Sequence, residues 1–123
     1  MEYTNTILVV DDSEMVVKVL SFIIKKAGYT ILSAIDGKAA LEFFDGRDID
    51  LVITDLNMPV MDGIELISEI RLKEYYKHIP IVLFSAGNDE EQKQIQKTSG
   101  ATLLFDKNDI QEKMIPTIKK MLG

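Results

Sequence analysis

Apolar residues fall along this chain in two alternating patterns. Short continuous runs, many of them β-branched, occur at Thr6-Ile7-Leu8-Val9-Val10, Tyr29 to Ala34, Leu51-Val52-Ile53-Thr54, Ile79 to Ser85 and Ala101-Thr102-Leu103-Leu104-Phe105. Such runs, bounded by turn residues, predict strands buried on both faces. Between them the apolar positions recur at spacings of three and four, the signature of a helix with one buried face. Ser13 is placed to cap a helix from Glu14 to Ala27 with Val16, Leu20, Ile23, Ile24 and Ala27 inward, and Gly28 stops it. Asp36-Gly37 opens a short helix bearing Ala40, Leu41 and Phe44, which Asp45-Gly46 breaks. Gly63 to Tyr75 predicts a helix with Ile64, Ile67 and Ile70 as its inner stripe, and Tyr75-Tyr76 at its end rest on the surface. Asn88-Asp89 caps a helix that is sparse in apolar side chains, with Ile95 alone between Asp89 and Ser99. Asn108 or Asp109 caps the last, with Ile110, Met114, Ile115, Ile118, Met121 and Leu122 on one face; Pro116 inside it delays its start or bends it.

Five strands alternating with five helices predict an α/β fold. Parallel strands joined by right-handed crossovers give a flavodoxin-like, doubly wound five-stranded parallel sheet of order 2-1-3-4-5. In such a sheet all strands present their carboxyl ends to one edge, and ligands sit where the strand order reverses, between the first and third strands. The first ends on Asp11 and Asp12, the third on Asp55, the fourth on Ser85 and the fifth next to Lys107.

Asp55 alone would merely end a strand. Three carboxylates in one crevice change that reading, because two of them about 4 Å apart repel by roughly 4 kcal/mol at an effective dielectric near 20. They must protonate, spread or hold a cation. Carboxylate oxygens are hard ligands and no Cys or His lies nearby, so Mg²⁺ is the leading ion, with Mn²⁺ second. A carboxylate beside a divalent ion, a lysine and a hydroxyl, with small Ala86 and Gly87 leaving backbone amides approachable, is a site for a phosphoryl group carried on Asp. Met15, Met58 and Met61 either border this pocket or pack the interior.

Composition narrows the partners. The 123 residues, 46% of them hydrophobic, suffice for one core, so residues 1–123 are expected to be a single domain. No apolar run approaches a membrane span, and Met1-Glu2-Tyr3-Thr4-Asn5 has no features of a secretory leader. The absence of cysteine fits a reducing compartment, so a cytoplasmic location is expected. A formal net charge of -6 argues against direct binding of nucleic acid or an anionic membrane. His78, the only histidine, lies in a polar loop and offers no evident phosphodonor.

Asp11-Asp12, Asp55, Ser85 and Lys107, together with Asn57-Met58-Pro59 and Met61-Asp62-Gly63, resemble the receiver domain of two-component response regulators, along essentially the whole chain. The resemblance implies that Asp55 accepts a phosphoryl group from the phosphohistidine of a sensor histidine kinase or phosphotransfer protein. It implies Mg²⁺ on Asp12 and Asp55 directly, on Asp11 mainly through water, and on the Asn57 carbonyl. Lys107 would neutralise phosphoryl oxygens and Ser85 would turn toward the phosphate. A responding face within residues 87–122 would then engage a downstream protein target. Because the chain ends close to its last helix, a stand-alone, chemotaxis-type regulator is expected. Two departures stand out. Asn108 follows the lysine where family members carry proline after a cis peptide, so a trans bond or a strained cis one is expected. Leu104 replaces the aromatic residue that turns inward on activation, and Phe105 faces the other side of the strand. The rival reading is a Mg²⁺-dependent phosphohydrolase working through an aspartyl-phosphate, for which Asn57 is a poor proton donor; a flavin module is disfavoured by the acidic crevice.

Overall fold

The computed structural model describes residues 5–84 and 89–122. Strands β1 (Thr6–Val10), β2 (Thr30–Ala34), β3 (Leu51–Asp55), β4 (Ile81–Phe84) and β5 (Leu103–Phe105) alternate with helices α1 (Glu14–Lys26), α2 (Gly37–Leu41), α3 (Gly63–Leu72), α4 (Asp89–Ser99) and α5 (Ile110–Leu122). The strands form one parallel sheet of order β2-β1-β3-β4-β5, as the apolar runs predict. No described helix is long and apolar enough to cross a membrane.

Strand alternation divides the core in two. Ile7, Val9, Leu51, Ile53, Val82, Phe84 and Phe105 face Leu20 and Ile24 of α1 and Met114 and Ile118 of α5. Leu8, Val10, Val52, Ile81 and Leu83 face Ala40, Phe44, Leu66, Ile67 and Ile70 on the other side. Leu104 packs on the second layer and Phe105 in the first, so adjacent side chains on β5 do serve opposite faces. Burial on this scale, about 25 cal/mol per Å² of apolar surface, holds the strand ends in fixed positions.

Several local expectations need correction. Helix α3 buries Leu66, Ile67 and Ile70, leaving Ile64 only half-buried. A three-and-four spacing fits the cylinder better than strict threes do. The helix stops at Leu72, and a separate 3₁₀ turn holds Glu74–Tyr76. Tyr75 is on the surface, but Tyr76 is 4% exposed. Its ring packs edge-on against Phe44, while its hydroxyl accepts from the Gly46 amide at 2.9 Å and donates to the Arg47 carbonyl at 2.7 Å. A satisfied phenol can be buried. Ala27 caps α1 and is exposed. Strands β4 and β5 begin at Ile81 and Leu103, two residues later than expected in each case. Helix α5 is not delayed by Pro116, which lies exposed within its span.

Candidate functional site

Four of the expected residues converge at the carboxyl edge of the sheet. Asp11, just past β1, is fully buried, and its Oδ1 accepts the Ser13 amide at 2.9 Å. That bond, with Ser13 Oγ accepting the Val16 amide at 3.3 Å, couples the start of α1 to the carboxylate. Asp12 is exposed beside it, and Asp55 closes β3 at 8% exposure. One oxygen from each of the three lies within 4.8 Å of the others. Lys107, from the 3₁₀ turn Lys107–Asp109 before α5, places Nζ 3.1 Å from Asp11 Oδ2 and 3.2 Å from Asp55 Oδ1. Its ammonium also lies 5.8 Å from the centre of the Phe84 ring, which packs on Phe105.

The electrostatics are unbalanced. Burial, then the neighbouring Asp11 charge, raises the Asp55 pKa above its usual range, against the pull of Lys107. Burial alone would lower the Lys107 pKa, but its two carboxylate partners outweigh that and raise it. Asp11 Oδ2 is buried and, despite the nearby ammonium, has no hydrogen-bond partner among the described residues. Three carboxylates facing a single ammonium leave the crevice net negative, which fits a hard divalent cation. Chemically, the arrangement offers a partly desolvated carboxylate oxygen, Asp55, with positive charge held beside it.

The β3–α3 loop carries Asn57, which is exposed two residues beyond Asp55. The loop is closed by the Gly63 amide donating to the Leu56 carbonyl at 2.8 Å and by Asp62 capping α3 through the Glu65 amide at 2.8 Å. Val60 adopts φ 72° at the centre of a tight turn in which Met61 N–H meets the Pro59 carbonyl at 2.7 Å. A β-branched residue is strained there, and at 75% exposure its side chain recovers little by packing. Val60→Gly is therefore expected to raise stability by about 1 kcal/mol in urea unfolding, after allowing for glycine's extra unfolded-state entropy.

Two glycines not singled out as contact points lock this loop. A Cβ on Gly37 would lie 2.9 Å from Met61 Cγ and the Met61 carbonyl, and one on Gly63 would run into the Asp55 carbonyl. In the sequence both read only as turn formers; the signal is Asp-Gly opening a helix next to a strand end. Gly63→Ala is expected to cost about 2 kcal/mol or more and to weaken Mg²⁺ binding by displacing Asp55, measured by unfolding and by calorimetric titration.

The remaining expectations divide. Ser85 and Ala86 lie outside the described residues, as does the neighbouring Gly87. Leu104 is half-buried against the α2–α3 layer, one register step from the site edge, opposite Leu83. No peptide among the described residues is cis, so Lys107–Asn108 is trans. Asn108 uses its amide: it donates to Asp106 Oδ1 at 2.9 Å, a turn bond that proline could not make. Met58 and Met61 pack against the core, whereas Met15 is exposed and shares a groove with Lys107. His78 is exposed and sits beside Pro80, before β4 and so at the opposite sheet edge.

Residues 7–119 match the family described as the response regulator receiver domain. The chain belongs to that family. It is a receiver domain of two-component systems. The receiver is 37% identical over 87 residues to chemotaxis protein CheY-3 of Vibrio cholerae, covering 70% of this chain and 67% of that protein. It superposes on the chemotaxis response regulator CheY4 of Vibrio cholerae with a TM-score of 0.90 and 33% identity, over 98% of this chain and all of that one, 100%. It superposes on TrrA of Thermotoga maritima, solved in complex with Mg(2+)-BeF, with a TM-score of 0.83 and 31% identity, over 97% of this chain and 100% of that one. Other curated relatives are much longer: the matched region spans 14% of a sensor kinase/phosphatase, CqsS of Vibrio cholerae, and 39% of the transcriptional regulatory protein PhoP of Bacillus subtilis.

Proposed function

We propose that Asp55 is the phosphoacceptor of this receiver. The observation that carries the reading is that the carboxylate ending the central strand, alone of the three, is partly desolvated at the crevice surface with the Lys107 ammonium 3.2 Å away. In the transfer, an Asp55 oxygen forms a bond to phosphorus as the bond from phosphorus to the imidazole nitrogen of a donor phosphohistidine breaks. Asp11, Asp12 and Asp55, with the Asn57 carbonyl, would hold Mg²⁺, or less favourably Mn²⁺. The ion, when bound, offsets charge on the transferred group. Lys107 stays protonated and balances a phosphoryl oxygen. Ser85 and the Ala86 amide supply hydrogen bonds to the product by family resemblance.

The donor is a sensor histidine kinase or a phosphotransfer protein. Its docking surface, in this reading, is α1, where Met15, Val19 and Phe22 form an exposed apolar stripe whose groove continues to Lys107. Phosphorylation then shifts a face within residues 87–122 toward the form that engages a downstream protein, with Leu104 filling the position of the usual aromatic. We take residues 1–123 as a single receiver domain in the cytoplasm, with no direct contact to nucleic acid or membrane.

Incubation with acetyl phosphate and Mg²⁺, followed by intact mass, tests this. One phosphoryl per chain, slowly lost by self-dephosphorylation, is expected. Release of many equivalents per chain from phosphomonoesters would instead support the phosphohydrolase, which Asn57 and the family match disfavour.

A further inference from the structure

Arg71 lies in the last turn of α3, and its guanidinium makes four hydrogen bonds, all to backbone carbonyls. Nε and Nη2 donate to Gly100 at 3.2 and 2.9 Å; Nη1 donates to Lys77 at 3.2 Å and Ile79 at 2.6 Å. No carboxylate pairs with it among the described residues. Partial burial lowers its pKa, yet a guanidinium stays charged in proteins, so its charge is met by carbonyl dipoles just past the end of α4 and in the connection between the 3₁₀ turn and β4.

The segment it grips is firmly seated. Gly100, at φ +84°, lies so close to α3 that an added Cβ would be 3.3 Å from Ile67 Cγ2. Ser99 is 4% exposed, and its hydroxyl accepts the Ala101 amide at 3.2 Å. Thr102 is fastened twice to Ile81: its amide donates to the Ile81 carbonyl at 2.8 Å, and its Oγ1 accepts the Ile81 amide at 3.0 Å. Helix α4 itself is not. Of its described side chains before Ser99, only Ile95 reaches the core.

We propose that Arg71 is a positioning residue that makes the α4–β5 junction a fixed pivot, so that α4 responds from its amino-terminal end while Ser99 to Thr102 stay in place. This rests on the phosphoacceptor reading and adds the hinge through which that site acts. A single segment weakly held at one end and clamped by a charge-assisted fork at the other opens in that order.

Hydrogen exchange by mass spectrometry on the full chain tests it. In the unphosphorylated protein, the amides of Ala101 and Thr102 should exchange at least about tenfold more slowly than those of residues 93–98. Arg71→Gln should raise exchange at 101–102 about tenfold while β1 and β3 keep their protection, and Arg71→Lys, which keeps the charge but loses the fork, should fall between. Uniform protection across residues 93–102 in the wild type would overturn the pivot even if the variants fail to fold, as would unchanged exchange at 101–102 in a folded Arg71→Gln. With acetyl phosphate and Mg²⁺, changes within residues 93–102 should be confined to those before Ser99. Equal changes through Thr102 would overturn the pivot. Phosphorylation without any change in α4 would overturn α4 as the responding element, while the first two comparisons still judge the clamp.

Discussion

Replacing Lys107 by methionine is expected to destabilise the metal-free receiver by about 2–3 kcal/mol, and Mg²⁺ is expected to recover most of that loss. The ammonium is the only cation within ion-pair distance of Asp11 and Asp55 among the described residues. Removing it leaves a fully buried carboxylate and a nearly buried one facing each other with no counter-charge. Since Lys107 is about a third exposed at its side chain, solvent moderates the effect, which keeps it below the penalty of a fully buried broken pair. The same substitution makes the crevice more negative, so Mg²⁺ should stabilise the variant more than it stabilises the wild type. Urea midpoints in chelator and in millimolar Mg²⁺ read both effects. A midpoint in chelator equal to that of the wild type would show that the ion pairs contribute nothing.

Asp55→Asn is expected to have two effects of opposite sign. Uptake of a phosphoryl group from acetyl phosphate should disappear, because the amide oxygen is a poor nucleophile and carries no charge to present to phosphorus. Stability of the metal-free fold should rise by about 1–2 kcal/mol, because the substitution removes a desolvated charge that sits beside Asp11. The pH dependence follows from the direction of the pKa shift. The folded Asp55 carboxyl titrates above its ordinary 3.8, so between that value and the raised one the folded state binds more protons than the unfolded state. Wild-type stability therefore gains from Asp55 as pH falls through that window, and the advantage of Asp55→Asn, largest at neutral pH, shrinks over the same interval. Chemical unfolding of both proteins between neutral pH and about pH 4, in chelator, checks the trend. An advantage that grew toward acid would mean that Asp55 is stabilised as a carboxylate by its surroundings.

These effects depend on residues whose placement was open to inspection in the sequence, because the first, third and fifth strands are apolar runs that end abruptly in charge. Asp11, Asp12, Asp55 and Lys107 sit at the edge where parallel topology must bring them. Contacts whose partners are distant along the chain were not legible. Tyr76 looks like a surface tyrosine until its hydroxyl meets Gly46 and Arg47, and Arg71 looks like one more charge on a helix until Gly100 arrives beneath it. Ile64 fits a periodic stripe as well as Leu66 does on paper, and only packing in the folded core decides between them. The strain at Val60 has no sequence signature, since valine is among the residues least expected at positive φ.

The most direct test of the central claim is chemical trapping of the acceptor. After incubation with acetyl phosphate and Mg²⁺, borohydride reduces an acyl phosphate to the corresponding alcohol, converting the modified aspartate to homoserine, which peptide mass spectrometry locates. The account predicts homoserine at position 55 alone, dependent on the divalent ion. Homoserine at Asp11 or Asp12, or none at any aspartate while phosphate is retained on the chain, would contradict it.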